Sequence, residues 1–495
     1  MKNLISASLL LCALSLPAAA ATPGSAPDKK VLTMVTPSAE TAPAVPAPAR
    51  QKIFNAETYT LGNGMQVVLI PNHRAPVAMQ MVWYKVGRAD EATGKSGLAH
   101  FLEHLMFKGS KNVAPGELSK RIRAMGGNDN AFTTDDFTAY FQTIAVDKLE
   151  SAMTMEADRM RGILLPEDQF ESERQVVLEE RRMRTENDPR SYFMDQLRYA
   201  LYPGHPYSIP IIGWKPEIEK LTLADARAWH EKWYAPNNAI LVVTGDLTLQ
   251  QLKPMVEKTY GRIPSRPVTR TELPAVAEFP GENRLTLRDP RIREPQFIRM
   301  YRVPGFTQNK QEALALDVLE EIMSGNSSTR LYQSLVVTQK VATAAGFSYD
   351  DTSRGTTIFS GYVSPAEGKT LEDAEDAYDA EIKKLIEGGV TVTELSEAKT
   401  RIRDSIGFLH DSLTTPANVI GQALASGIAL DDIEYWPDEI DTVTAEQVKA
   451  VAAKYLVPRL KAEDKPNYIT GYIMATKRQP GDPEPAPAMP AQEIR

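Results

Sequence analysis

Two short runs of alternating apolar and polar residues begin the part of the chain that has the pattern of a folded protein. Residues 57–60 and 66–70 flank a Gly-Asn-Gly sequence at 62–64, which is a strong signal for a hairpin turn. Residues 77–86 and 137–144 are also predicted to be strands, because β-branched and aromatic side chains are frequent in them. The pattern therefore predicts a sheet in the first part of the chain.

Apolar residues recur at every third or fourth position in several segments, which is the spacing of one face of an α-helix. The predicted strands are too many for a simple alternation of one strand with one helix. This favours an α+β fold with a largely antiparallel sheet. The segments predicted to be helical are 96–108, 117–125, 147–162 and 167–187.

The chain contains an internal repeat. Residues 98–109 are echoed by residues 315–325 at an offset of 217 positions, and residues 234–245 resemble residues 455–471. Proline and polar residues cluster near 264–280 without helical spacing, so the boundary between the halves is predicted there. The expected fold class is α+β, with two homologous domains that each contain a largely antiparallel sheet and packed helices.

The N-terminal stretch has the pattern of a secretory signal peptide. Lys2 precedes an apolar segment at 4–16, and small residues at 18–20 offer a cleavage site. Pro17 and several serines interrupt this stretch, which weakens the alternative of a membrane anchor. We expect an exported protein, and a bacterial periplasm fits best. The predicted layout is a signal peptide at 1–21, a Pro/Ala-rich linker at 22–50, an N-terminal domain at 51–265, a homologous C-terminal domain at 280–476 and a Pro-rich tail at 477–495.

Composition narrows the possible chemistry. The 495 residues include 56 Lys and Arg against 64 Asp and Glu, a net charge of −8, without a dense basic block. This argues against nucleic acid as a partner. Cys12 is the only cysteine and lies inside the predicted signal peptide. A mature protein without cysteine excludes disulfides and cysteine ligands, so a metal site would need His, Asp or Glu. No later segment is long and apolar enough to predict a membrane span.

Candidate chemistry concentrates in the sequence His100-Phe101-Leu102-Glu103-His104. Residues four apart lie on one face of a helix, so both imidazoles could reach one divalent ion. Glu103 lies beside His104, where a general base acting on water is needed. The order His-x-x-Glu-His is a zinc-protease signature. The alternative is an amphipathic helix whose histidines happen to lie near a surface, and a metal site needs a third ligand.

The signature, the duplicated halves and a later Glu-rich helix resemble the pitrilysin (insulinase) family of zinc metallopeptidases. That family includes insulin-degrading enzymes and mitochondrial processing peptidases, and this chain resembles the zinc-bearing subunit of the latter. The likeness covers roughly residues 52–476. In the family the third ligand is a glutamate on a downstream helix, and the matching sequence here lies at 173–180.

Glu179 and Glu180 on this helix are the two candidates for the third ligand. Glu173 and Glu180 are seven residues apart and share one face, whereas Glu179 is rotated by about 100° from Glu180. The resemblance implies that Glu180 is the ligand and that Glu173 supports the site. For Glu173, a solvated helix charge is the alternative.

The resemblance implies a zinc-dependent endopeptidase that hydrolyses peptides inside a closed chamber. His100, His104 and Glu180 would bind Zn²⁺, and Glu103 would take a proton from the water that zinc acidifies. The competing prediction is a non-catalytic binding or assembly subunit. Both predictions include the chamber, but only the endopeptidase catalyses turnover.

Substrate binding is predicted on the β-prone segment that follows the Gly-Gly pair at 126–127. An extended peptide can add as a strand to an exposed sheet edge. The resemblance implies this role for Asn130 and Ala131, and Phe132 beside them completes the predicted substrate site. The alternative is an ordinary interior strand.

The second half departs from the first at the metal positions. Asp317 and Glu321 stand where the two histidines would be, so no zinc is expected there. The resemblance also implies an Arg and a Tyr from the second half near the scissile bond, but the matching positions hold Val336 and Thr343. We therefore expect a second, zinc-free homologous chain to supply these side chains, with a homodimer as the next choice.

Overall fold

The computed structural model describes residues 50–278, 283–458 and 466–476. Two sheets, each covered by helices, confirm the predicted α+β class with two domains. The predicted signal peptide, the linker before residue 50 and the tail at 477–495 lie outside the described residues. The predicted domain limits stay a prediction.

The first sheet contains six strands, β1 (Glu57–Thr60), β2 (Gln66–Pro71), β3 (Val77–Tyr84), β4 (Asn128–Thr133), β5 (Thr138–Ala145) and β6 (Ala239–Gly245). Their order is β1-β2-β6-β3-β5-β4, so β4 lies at an edge. β2 and β6 are parallel, and the other neighbours are antiparallel. The predicted hairpin is confirmed, since Glu57 pairs with Leu69 and Thr60 with Gln66.

The four predicted helices of the first half are present, and each is shorter than predicted at one or both ends. The segment at 167–187 is α-helical only to Arg181 and continues as a π-helical turn, Arg182–Glu186. The helices are α1 (Leu98–Leu105), α2 (Glu117–Ala124), α3 (Leu149–Arg161), α4 (Glu167–Arg181), α5 (Pro189–Leu201), α6 (Lys215–Ile218), α7 (Leu223–Trp233) and α8 (Leu249–Thr259), and the 3-10 turns are Arg88–Asp90, Val146–Lys148, Pro206–Ser208, Pro236–Asn238 and Tyr260–Arg262.

Among the described residues, the second sheet repeats the first without a counterpart of β1. It contains β7 (Asn283–Asp289), β8 (Gln296–Val303), β9 (Ala342–Tyr349), β10 (Thr357–Pro365) and β11 (Tyr468–Ala475). The order β7-β11-β8-β10-β9 matches β2-β6-β3-β5-β4, and β7 and β11 form the parallel pair. The duplication that the sequence predicts is therefore a duplication of topology.

Helices of the second half follow the same succession. Among the described residues, none of the helices has both the length and the apolar character needed to cross a bilayer. The helices are α9 (Lys310–Met323), α10 (Arg330–Tyr332), α11 (Leu371–Gly388), α12 (Val392–Ile406), α13 (Thr414–Ser426), α14 (Leu430–Glu434), α15 (Trp436–Thr442) and α16 (Ala445–Tyr455), with a π-helical turn at Gln333–Thr338.

Each half places one helix on the sheet of the other half. α5 packs on β7 and β11, where Leu197 belongs to the same buried cluster as Ile469 and Ile473. α13 packs on β3 and β6, and Ile420 joins a cluster with Trp83 of β3. Because these contacts bury apolar side chains, they stabilise the association of the two halves.

Ion pairs also connect the two halves at the edge of the interface between them. Asp90 lies 2.9 Å from Nη2 of Arg270 in the connecting segment and 3.0 Å from Nη1 of Arg354 in the second half. Oδ2 of Asp136 accepts hydrogen bonds from the backbone amide of Arg354 at 3.0 Å and from the hydroxyl of Tyr207 at 2.6 Å. These contacts join the two halves and the segment between them.

Replacing Gly421 by Ala should destabilise the fold. Gly421 lies where α13 crosses the ring of Trp83, and a Cβ atom there would be 2.1 Å from that ring. Trp83 is fully buried, so we expect the free energy of unfolding to fall by about 1–3 kcal/mol, as for other overpacked cores. Urea unfolding measures it. Gly388→Ala is the matched control, because no atom lies within 4 Å of the added Cβ; equal stability of the two variants would contradict the prediction.

Candidate metal centre

Helix α1 carries the His-x-x-Glu-His sequence and is held at both its start and its apolar face. Gly97 precedes it with a φ of 85°, a left-handed conformation that favours glycine. The side chain of Glu91 accepts hydrogen bonds from the amides of Gly97 and Ala99 at 3.0 and 2.7 Å. Phe101 lies in the core and contacts the ring of Phe170 on α4, with centroids 4.9 Å apart. These contacts fix α1 against α4.

Helix α4 presents Glu173 and Glu180 to α1 from one face, as the seven-residue spacing predicts. Oε1 of Glu173 accepts a hydrogen bond from Nδ1 of His104 at 2.9 Å. Oε2 of Glu180 lies 3.2 Å from Nε2 of His104 and 3.8 Å from Nε2 of His100. Glu179 points elsewhere and pairs with Arg182 at the surface. Of the two candidates for a third ligand, Glu180 is therefore the one beside the histidines.

Ligand-type atoms of His100, His104 and Glu180 all lie within 4.8 Å of one another. In the described part of the chain, this is the one group of three His, Cys, Asp or Glu residues that could hold a metal ion. Tetrahedral zinc with bonds of about 2.0–2.1 Å separates its nitrogen and oxygen ligands by about 3.3 Å. Two imidazoles and one carboxylate also form a recognised zinc donor set. The residues present thus fit zinc.

The electrostatics of the site separate the two histidines. Burial, together with the neighbouring His104, lowers the pKa of His100 to about 4. Burial also acts to lower the pKa of His104, but hydrogen bonds to Glu173 and Glu180 outweigh it and raise that pKa to about 9. The two carboxylates therefore create the more negative environment on the His104 side of the site.

Glu103 projects from α1 toward β4. Its Oε2 accepts a hydrogen bond from the hydroxyl of Thr133 at 2.6 Å, and 8% of the residue is exposed. Burial raises the pKa of Glu103 to about 7, against the opposing effect of the Thr133 hydrogen bond. A buried carboxyl group held in one orientation suits proton transfer.

The candidate metal ligands line a cavity of about 650 Å³. One wall is the edge strand β4, which contains Asn130, Ala131 and Phe132. The lining also includes residues of the π-helical turn after α4 and of the segment at 210–212. The cavity is lined by His100, Glu103, His104, Asn130, Ala131, Phe132, Thr133, Glu180, Arg184, Thr185, Asp195, Arg198, Pro210, Ile211 and Ile212.

The segment at 210–214 is attached to both helices of the site. Nη1 of Arg181 donates to the carbonyl of Gly213 at 2.6 Å, and its guanidinium lies 5.6 Å from the ring of Trp214. The amide of Trp214 donates to Oγ of Ser96, just before α1, at 2.9 Å. The cavity wall, α4 and the start of α1 therefore form one connected unit.

Two protein-family sequence models match the chain. Insulinase (Peptidase family M16) matches residues 66–215, and Peptidase M16 inactive domain matches residues 220–402. The zinc protease PqqE of Helicobacter pylori is 32% identical over 381 residues, which cover 76% of this chain and 84% of that protein. The chain belongs to the insulinase family, peptidase family M16. Relatives of this M16 chain carry the name zinc protease, which supports a peptidase-type function.

Solved structures resemble the M16 chain along most of its length. A protease from Helicobacter pylori superposes with a TM-score of 0.76 at 27% identity, covering 86% of this chain and 99% of the other. The periplasmic protease PqqL from Escherichia coli gives a TM-score of 0.72 at 16% identity, which shows a shared fold. That match covers 88% of this chain and 48% of the other, so PqqL is about twice as long.

The second half of the M16 chain has an ion pair at the place that corresponds to the candidate metal site. α9 and α12 take the positions of α1 and α4. Nε of Arg401 on α12 lies 2.7 Å from Oε1 of Glu321 on α9, and Asp317 lies one turn before Glu321. A guanidinium thus pairs with Glu321, the residue that stands at the position of the second histidine.

Val336 and Thr343 lie away from the candidate cavity. Val336 is part of the π-helical turn of the second half and packs against its core. Thr343 lies on β9, and its hydroxyl donates to the carbonyl of Ser364 at 3.3 Å. Neither residue lines the cavity that contains His100 and Glu180.

Sequence reasoning missed three side chains of the site. Nζ of Lys108 lies 2.5 Å from Oε2 of Glu173, and Nη1 of Arg184 lies 2.7 Å from Oε1 of Glu180. Each cation follows a candidate ligand by four residues, a helical spacing that could have identified it. Thr133 gave no such signal, because its contact with Glu103 spans 30 residues.

Proposed function

We propose that this M16 chain is a zinc-dependent endopeptidase in which His100, His104 and Glu180 hold the ion and Glu103 is the general base. The convergence of the three ligand-type atoms within 4.8 Å carries the proposal. Glu103 lines the same cavity, and relatives named zinc proteases support the choice of metal.

Each side chain has a separate task in this mechanism. When bound, zinc supplies the Lewis acidity that polarises a peptide carbonyl and acidifies water. The Thr133 hydroxyl holds Oε2 of Glu103, so Oε1 accepts the proton from the attacking water and delivers it to the leaving amine. Glu173 holds Nδ1 of His104, which directs Nε2 toward the ligand group.

The substrate binds as an added strand along β4. β4 is an edge strand and lines the cavity beside Glu103, so a peptide paired with Asn130 and Ala131 passes in front of the general base. Backbone pairing of this kind recognises extended or unfolded segments more than particular side chains. Phe132 adds an apolar contact at the same edge.

A second chain completes the chamber. We expect a zinc-free homologous chain, or otherwise a second copy, to provide the Arg and Tyr for which this chain has Val336 and Thr343. Mixing the chain with such a partner should raise peptidase activity, and size-exclusion chromatography should show a complex. A monomer that cleaves peptides at its full rate without a partner would contradict this prediction.

Export to the periplasm belongs to the same proposal. The N-terminal sequence supports it, and so does the shared fold with a periplasmic protease. Fractionation of the native source tests it. Finding the chain in the cytoplasm would contradict export. Co-purification from the same material identifies the partner.

A quenched peptide library tests the proposed activity. The full mature chain is loaded with zinc and assayed alone and with its co-purified partner, before and after treatment with a chelator. Cleavage that disappears with the chelator and returns with zinc supports the endopeptidase. A zinc-loaded complex that binds peptides without cleaving any of them would support the alternative, a binding or assembly subunit.

A further inference from the structure

The two carboxylate oxygens of Glu180 have different partners. Oε2 faces the Nε2 atoms of both histidines, at 3.2 Å from His104 and 3.8 Å from His100. Oε1 lies 2.7 Å from Nη1 of Arg184. A charge-assisted hydrogen bond of this length fixes the rotation of the carboxylate. Only one oxygen of Glu180 is therefore directed at the ligand group.

The backbone around Arg184 is anchored on both sides. The residue lies within the π-helical turn Arg182–Glu186, and π-helical turns are often found at functional sites. Arg181, just before the turn, is buried and donates a hydrogen bond to the carbonyl of Gly213. Thr185, inside the turn, is also buried. The Arg184 side chain itself is 63% exposed and lines the cavity. It can thus be replaced without disturbing the core.

Glu173 has the same arrangement. Its Oε1 accepts from Nδ1 of His104, and its Oε2 pairs with Nζ of Lys108 at 2.5 Å. Both carboxylates that contact the histidines of α1 therefore have a cation on their other oxygen. Partners of this kind orient metal ligands in other proteins, and their loss typically costs about 10- to 100-fold in metal affinity or activity.

We propose that Arg184 is a positioning residue that makes Glu180 offer a single oxygen to the metal. This inference rests on the proposed function, because it requires the metal site of His100, His104 and Glu180. With Oε1 engaged by Arg184, the ion keeps a coordination position for water or a peptide carbonyl. Without Arg184, both oxygens would be able to turn to the ion, which would raise the coordination number from four to five and crowd the position that water or the carbonyl needs.

Cobalt(II) in place of zinc tests the proposal by its spectrum. Four-coordinate cobalt(II) absorbs visible light more strongly than five-coordinate cobalt(II), so the full mature chain with Arg184→Gln should absorb less than the wild type. Arg184→Lys keeps a positively charged donor, whereas glutamine is neutral, so the Lys variant should stay close to the wild type. Arg182→Gln is the matched control, because Arg182 pairs with Glu179 on the same turn and does not line the cavity.

Kinetics with saturating zinc provide a second readout. Arg184→Gln should lower kcat by about 10- to 100-fold, with a much smaller change in KM. A wild-type cobalt spectrum in Arg184→Gln would overturn the proposal, whatever its activity. If the wild type takes up neither zinc nor cobalt, the proposed function fails together with this inference. If the wild type binds cobalt but cleaves nothing, the endopeptidase proposal fails, and the spectra still decide the role of Arg184.

Discussion

Glu103→Gln should abolish most peptide turnover while leaving zinc binding intact. Glu103 lies beside the ligand group without belonging to it, and its Oε2 is held by Thr133. An amide keeps the size and the hydrogen bond to Thr133 but accepts no proton, so the loss should be in the range of general acid–base catalysis, about 10²- to 10⁴-fold in kcat. Cleavage of a quenched peptide and zinc content per chain measure the two effects.

Glu179→Gln is the control for this variant. Glu179 lies at the surface beside Arg182 and does not line the cavity, so the control should keep both activity and zinc. An active Glu103→Gln chain would remove Glu103 from the mechanism. Loss of zinc from the same variant would instead give Glu103 a structural role at the metal.

Glu180→Gln should remove the metal from the chain. Oε2 of Glu180 is the carboxylate oxygen that faces both histidines, and an amide oxygen carries no charge to balance a divalent cation. We expect zinc affinity to fall by at least about 100-fold, the upper end of what outer partners of metal ligands contribute. Competition with a chromogenic chelator measures the affinity, and activity should fall with zinc content.

Comparison with Glu179→Gln distinguishes the two neighbouring glutamates. The variants differ by one position in the sequence and have the same change in charge, so a general electrostatic effect would alter both alike. Loss of zinc in Glu179→Gln, with zinc retained in Glu180→Gln, would contradict the assignment of the ligand. Loss in neither variant would mean that the two histidines bind the ion with another group.

Local signals predicted much of the fold and of the candidate site. The hairpin at 57–71 followed from alternation and a Gly-containing turn, and α1 and α4 followed from helical spacing. The same spacing placed Glu173 and Glu180 on one face, where the structure has them. Patterns of this kind depend on residues close in sequence, and the geometry of the backbone is enough to interpret them.

The missed features depend on tertiary packing. Thr133 reaches Glu103 because β4 lies beside α1, which no local pattern indicates. The π-helical turn after Arg181 departs from the helix predicted to continue to residue 187. The placement of α5 and α13 on opposite sheets also has no signal in the sequence, because either helix could have covered the sheet of its own half.

The crossed positions of α5 and α13 have a consequence for how the molecule comes apart. A protease that cuts the connecting segment at 264–278 would yield two fragments that remain bound, since each keeps a helix buried against the other's strands. Calorimetry of the intact chain should accordingly record one transition rather than two. The two halves of one chain should then move together as a single rigid lobe, without opening along the faces that α5 and α13 cover.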